Sequence, residues 1–403
     1  MLSRTKQLLL TLSFYLIGSV HTMIFQIFQI PENFLLGHAS ETLELTCKFL
    51  FYGCAVITSL AHQPITRFLG LRKTLYLGLI CNLIGLTLLM INQLFIGKGF
   101  IFLVLLDMVL FGIALTSVVN SLITYIILKS PKHVGAQITA LFIFFCTGIM
   151  LAPILLSGLE SYHLGHLIFF LLIALILLSI WLVHRFFFTV PFPTHLEKLR
   201  KGTLIWKELH YRLALFVFAI IAYGLTETTF NLWGFVKIRA LLGIPIANDI
   251  VSLFWICMIL GQTFLFFSFH FFPLRRLIYL FVLIIFCASL IFPLQTHLSG
   301  FIFSIIIAGF GCSAIFPSLL FMMEKEMLVV IPKPLFLPYI ESGVSLMIAG
   351  YFTGIATIDI MVYLLGGNPS VNTSFHFHII TACMTVVAVT VIYLNLTRPQ
   401  KIS

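Results

Sequence analysis

Four carboxylates stand inside long apolar runs of the chain: Asp107, Glu227, Glu341 and Asp359. An ionisable group in hydrocarbon costs about 2.5–3.5 kcal/mol on insertion scales, so such a group is a functional candidate by default. Glu227 has the most informative surroundings. It lies sixteen residues past Tyr211, where its run begins, which is about 24 Å along a helix that rises about 1.5 Å per residue. Tyr223 and Asn231 stand at i−4 and i+4 and share its helical face. A carboxylate so placed can take up and release a proton as its surroundings change. The other reading is a hydrogen bond that ties two helices. Asp107 is either a second titrating group or a hydrogen-bond partner near the outer end of its run. Glu341 and Asp359 lie toward the ends of theirs, where interfacial water is within reach.

A second set of polar residues recurs at steps of three and four near the N-terminus: Tyr15, Ser19, Thr22, Gln26 and Gln29, with His21 on the edge of the stripe. Such a stripe in an apolar helix faces a cavity or a partner helix. Histidine titrates near neutral pH when unperturbed, so His21 is either a coupling group or a bond between helices. Asn120 and Ser313 are polar residues deep in two further runs, and together with Gln26, Glu227 and Asn231 they are expected to line a pathway. The eight cysteines are scattered without CxxC or Cys/His ligand spacing, so no metal site is expected. No phosphate-binding GxxxxGK[ST] loop occurs, and no cofactor is expected.

The elements that hold these residues must be membrane spans. Of the 403 residues 61% are hydrophobic and 9% charged, and the mean hydropathy is +1.13. A soluble domain carries about 25% charged residues, so this surface suits lipid rather than water. Twelve runs reach about 20 residues, the length of a span: 8–30, 44–66, 74–92, 100–128, 135–157, 166–190, 211–232, 249–271, 277–294, 299–322, 337–365 and 375–396. The first run is preceded by Arg4 and Lys6 as in a signal peptide, but it is too long for one and is read as a retained span. The expectation is an all-α membrane protein with twelve transmembrane helices.

The basic residues orient these spans. Of the 23 Lys and Arg, only Lys48, Lys98, Lys237 and Arg239 fall on the side opposite the termini. The other nineteen share the side of the termini, which places both termini in the cytoplasm. The charge of +10 is therefore a topology signal, and a nucleic-acid partner is not expected. The basic, polar stretch 191–210 is the longest connection and divides the spans into six and six, giving a first half 1–190, a linker 191–210 and a second half 211–403. The halves repeat weakly: a short basic turn after span 2 (Arg67, Arg72, Lys73) returns after span 8 (Arg275, Arg276). Gly112 in span 4 corresponds to Gly309 and Gly311 in span 10, and Gly148 in span 5 to the glycines of span 11. Two six-span halves related by a parallel repeat are a recurrent transporter plan, with the pathway at their interface.

Two stretches carry a resemblance to a family. Span 10 reads Gly309-Phe-Gly-Cys-Ser313-Ala-Ile-Phe316-Pro317-Ser318, and span 7 reads Tyr223-Gly-Leu-Thr-Glu227 followed by Trp233. Both resemble the fucose/galactose/glucose–proton symporter branch of the major facilitator superfamily, including its TsgA-like members, and the layout agrees along essentially the whole chain. The turn Arg67–Lys73 is similar to the family's gating loop, one residue longer and with Thr66 where an acid is usual. The resemblance implies a secondary transporter of a small hydrophilic solute, a sugar or similar metabolite, coupled to protons and working by alternating access in the bacterial inner membrane as a monomer. This sequence departs from the branch in span 1, which has no acid, and in span 4, where Thr116 stands in the place of a glutamate. An uncoupled facilitator and a non-transporting receptor on the same fold are the alternatives. An enzyme is not expected, because no loop carries a Ser/His/Asp, paired-carboxylate or metal-ligand set.

Overall fold

Apolar runs of this length fold as helices because in lipid every backbone N–H and C=O must be satisfied within the segment. The structure, a computed structural model, describes residues 4–29, 41–92, 101–129, 133–161, 167–187, 204–242, 244–268, 271–331, 333–364 and 373–396, and these are almost entirely helical. Helices α1 to α6 are Arg4–Gln29, Glu41–Leu69, Leu71–Ile91, Ile101–Lys129, Val134–Ser161 and Leu167–Phe186. Span 7 is α7 (Leu204–Thr228), a π-helical turn (Thr229–Trp233) and α8 (Gly234–Leu242) in series. Helix α9 is Ile244–Ser268 and α10 is Leu274–Ile291, extended by a 3-10 turn Phe292–Leu294. Span 10 is α11 (Leu298–Cys312) and α12 (Ile315–Val330), and the last two spans are α13 (Lys333–Leu364) and α14 (Thr373–Leu396).

These helices realise the twelve expected spans. Among the described residues, eight helices meet a length and apolarity criterion for crossing a bilayer, and Ser252–Ser268 and Ile380–Leu394 are shorter apolar stretches. The longest extensions past the expected ends are span 7 to Leu242 and span 10 to Val330. The charges of Lys237, Arg239, Glu324 and Lys325 read as loop signals, yet helix continues through them. The phenylalanines divide between two roles. Phe267 and Phe303 are exposed where lipid would lie, whereas Phe14, Phe216, Phe230, Phe254, Phe281, Phe292 and Phe301 are buried between helices.

Packing divides the chain into two compact units, one of Met1–Lys129 with Phe144–Pro193 and one of Ser130–Ile143 with Thr194–Ser403. Within each unit a glycine on the fourth helix of the repeat lets a neighbour approach closely. A Cβ at Gly112 would lie 2.5 Å from the Phe51 carbonyl oxygen and 2.9 Å from Cys54 Cβ; at Gly309 it would lie 2.5 Å from the Phe254 carbonyl oxygen and 3.0 Å from Cys257 Cβ. The same Phe and Cys, three residues apart, receive the glycine in both units. A second pair matches as well: Gly148 on α5 abuts the Ser19 carbonyl of α1, and Gly354 on α13 abuts the Ile221 carbonyl of α7. Only a residue without Cβ allows backbones this close.

Candidate functional site

The second unit gathers Glu227, Tyr223 and a residue the sequence reading did not single out, Tyr351 on α13. Glu227 is buried, 7% exposed, and its Oε1 accepts a hydrogen bond from the Tyr351 hydroxyl at 2.7 Å. The Tyr223 hydroxyl donates to the Cys312 carbonyl at 3.1 Å, at the end of α11 where span 10 breaks. The two tyrosine rings stack at 6.1 Å with 23° between planes, and the Phe316 ring of α12 meets Tyr351 edge-on at 5.0 Å. Close backbones make this reach possible: a Cβ at Gly224 would lie 2.6 Å from the Tyr351 carbonyl oxygen. The signal in the sequence was the placing of Tyr351 between Gly350 and Gly354, which marks a helix face built for contact.

Past Glu227 the helix changes character. The π turn Thr229–Trp233 starts two residues later, and a π turn spans more residues than an α turn. Asn231, half-buried, lies inside that turn, so the single face drawn from regular α spacing through Glu227 to Asn231 is interrupted. The side chain of Trp233 lies outside the described residues. Ser313 sits at the break between α11 and α12, fully buried, and donates to the Phe310 carbonyl at 2.6 Å. Its hydroxyl is turned toward Gly261 of α9 rather than away from the helix pack. The physical reason is Pro317: without its N–H the helix leaves a carbonyl unpaired, and the backbone turns at Ser313–Ala314.

The first unit has a different arrangement. His21 is buried and uses both ring nitrogens: Asn82 Nδ2 donates to Nδ1 at 2.7 Å and Nε2 meets the Leu115 carbonyl at 3.2 Å. The Asn82 donor leaves Nε2 carrying the proton toward Leu115. Thr22 donates to the Phe145 carbonyl of α5 at 2.8 Å, and Tyr15 stacks on Phe144, so the polar stripe of α1 meets α5. Gln26 is buried with Oε1 unpartnered among the described residues, and the side chain of Gln29 lies outside them. Asn120 is fully buried and donates to Ser59 Oγ on α2 at 3.0 Å.

Asp107 is fully buried with no hydrogen-bond partner on either oxygen among the described residues. One helical turn on, Phe111 lays its ring against Gly85 of α3, so Asp107 stands on the face that packs on α3. Glu341 is fully buried as well, and does not reach interfacial water as its position suggested. The side chain of Asp359 lies outside the described residues. Glu324 joins the buried acids, 1% exposed; the sequence reading placed it beyond the end of span 10, and the extension of α12 brings it inside.

Arg67, Arg72 and Lys73, the residues expected to form a gating loop, lie at the junction of α2 and α3. Gly70 takes φ +84, which side chains rarely allow, and its N–H caps the Thr66 carbonyl at 2.7 Å. Thr66 donates to its own helix at His62, so it does not replace the acid of the family's loop. Arg72 donates to the His184 carbonyl at the end of α6 at 2.7 Å, while Arg67 and Lys73 are exposed. Among the described residues no three His, Cys, Asp or Glu side chains are placed to share a metal ion.

A bundle of apolar spans with isolated buried acids and paired glycine seams defines a multi-pass membrane transporter. The description of the Major Facilitator Superfamily matches residues 7–332, and the chain belongs to that superfamily. In structure it is similar to the E. coli fucose:proton symporter FucP, solved as a single-residue variant, at 16% identity and a TM-score of 0.68 over 98% of each chain. It is equally similar to a structure of FucP, described as a Major Facilitator Superfamily transporter, in the outward conformation, at 16% identity and a TM-score of 0.70 over 99% of each chain. At this identity the likeness establishes the fold. None of the curated proteins compared matches the chain in sequence.

Proposed function

We propose that this transporter moves a neutral sugar or a similar small hydrophilic metabolite together with protons, by alternating access, without chemical change to the solute. The observation that carries this reading is Glu227, a buried acid held by a phenol one turn from Tyr223 and two residues before a π turn. Helix interruptions of this kind recur at functional sites. Glu227 is the principal proton-responsive group in this reading, and Asp107 is the second. Gln26, Asn120, Tyr223, Asn231, Trp233 and Ser313 support the solute path, and Arg67, Arg72 and Lys73 the gating loop. His21, with both nitrogens engaged, is a strut in this scheme and assists only by holding α1 in place.

The division into a first half 1–190, a linker 191–210 and a second half 211–403 is part of the proposal. So is placement in the bacterial inner membrane with both termini in the cytoplasm, supported by the distribution of Lys and Arg. The working unit is a monomer. The fold likeness to a fucose:proton symporter supports the substrate class. An uptake screen in proteoliposomes tests it, with hexoses, deoxyhexoses and polyols supplied under an imposed inward proton gradient. Accumulation of at least one of these above its external concentration is expected; equilibration without accumulation for every solute taken up indicates a facilitator, and no uptake of any contradicts the class.

A further inference from the structure

Helices α7 and α13 form the tightest seam of the second unit. Gly354 abuts the Ile221 carbonyl, a Cβ at Gly350 would lie 2.8 Å from Ile220, and Gly224 faces the Tyr351 carbonyl. Tyr351 is the polar side chain in the middle of this seam, and its hydroxyl ends on Glu227. The first unit has the same seam without the same chemistry. Thr22 on α1 meets the Phe145 carbonyl on α5, as Gly224 on α7 meets the Tyr351 carbonyl on α13. Phe145 therefore holds the place of Tyr351, and Phe25, three residues after Thr22, holds the place of Glu227, three residues after Gly224. At these two places the first repeat carries phenylalanines, Phe25 stacking on Phe51 of α2 at 5.6 Å, and the second an acid bonded to a phenol.

We propose that Tyr351 is the positioning residue for Glu227: its phenol binds the carboxylate of α7 to α13, so the proton state of Glu227 sets how firmly these two helices are joined. This inference rests on the reading of Glu227 as the proton-responsive group. A phenol donating to an ionised carboxylate makes a charge-assisted bond, about twice as strong as one between neutral groups. Protonation of Glu227 weakens that bond and loosens α13 from α7 beside two points where the backbone is already irregular. These are the π turn after Glu227 and the break after Cys312, whose carbonyl Tyr223 holds. The titratable groups that interact with Glu227 are Tyr223 on its own helix, Tyr351 on α13 and Cys312 on α11. Helices α12 and α14 also pack on α7 and add no titratable partner to Glu227 among the described residues. Among the described residues no charged side chain acts on Glu227.

The test needs no knowledge of the solute. Infrared difference spectra of the purified full-length protein in lipid, recorded against pH, show the C=O stretch of a buried carboxylic acid. A band lost in Glu227→Gln belongs to Glu227. Tyr351→Phe keeps the ring and its stacking but removes the donor. The band is then expected to change frequency and its titration midpoint to move by about one unit to higher pH, because the ionised form has lost a hydrogen bond. Thr226→Val removes a hydroxyl bonded to its own helix at Ala222 and should leave both unchanged. Size-exclusion profiles confirm that each variant is folded. A Glu227 band unmoved in frequency and midpoint by Tyr351→Phe overturns the inference alone, and a spectrum with no band sensitive to Glu227→Gln overturns both it and the reading of Glu227.

Discussion

The two units solve one packing problem twice and differ where chemistry enters. In the first, His21 reaches the Leu115 carbonyl three residues past Gly112. In the second, Tyr223 reaches the Cys312 carbonyl three residues past Gly309. Each is a side chain of the first helix of its repeat fastened to the backbone of the fourth, so His21 stands in its unit where Tyr223 stands in the other. The acid of the second unit, Glu227, has no counterpart acid in the first, where Phe25 stands. Scaffold is shared between the repeats and the acid–phenol pair is not. A polar residue in a span is therefore better judged by what stands at its repeat mate than by its type alone.

If the glycine seams are shared scaffold, breaking either should be equally severe. Gly112→Val and Gly309→Val both drive a side chain into a carbonyl, and each is expected to cost about 3 kcal/mol or more. Thermal unfolding in detergent followed by size exclusion measures it. A large loss in one unit with little change in the other would break the equivalence.

The ties between the first and fourth helices at one end of each repeat should differ. Arg212 on α7 pairs with Glu326 on α12 at 3.1 Å, with both side chains largely buried. In the first unit Lys129 on α4 donates to Thr11 on α1 at 3.3 Å. Removing one member of a buried ion pair strands the other charge. Arg212→Met is expected to cost about 2 kcal/mol, and Lys129→Met about 1 kcal/mol or less, by the same unfolding assay. Equal losses would mean that the pair is not a special tie of the second unit.

A comparably small effect concerns His21. His21→Gln is expected to lower stability by about 1 kcal/mol and to leave the pH dependence of uptake unchanged. A changed pH profile would make His21 a coupling group and undo its pairing with Tyr223.

Much of this was legible in the sequence, because span length and the placing of Lys and Arg are local signals. The twelve spans and the standing of Glu227 beside Tyr223 follow from residues close together in the chain. What was hidden depends on residues far apart. Asn82 lies 61 positions from His21 and Tyr351 lies 124 from Glu227; no periodicity marks either as a partner. The burial of Glu324 was missed because a charge cluster reads as a loop, although helix can carry charges onward when neighbouring helices cover them. The turn of Ser313 toward α9 was likewise invisible, since it follows from Gly261, a glycine on another span.

Accumulation of solute in proteoliposomes under a pH gradient tests most directly the proposal that Glu227 carries proton coupling. Glu227→Gln preserves shape and removes titration. Accumulation above the external concentration should vanish, while exchange of labelled for unlabelled solute without a gradient remains close to wild type. A Glu227→Gln protein that still accumulates solute with the wild-type pH dependence would show that Glu227 is structural and that coupling resides elsewhere.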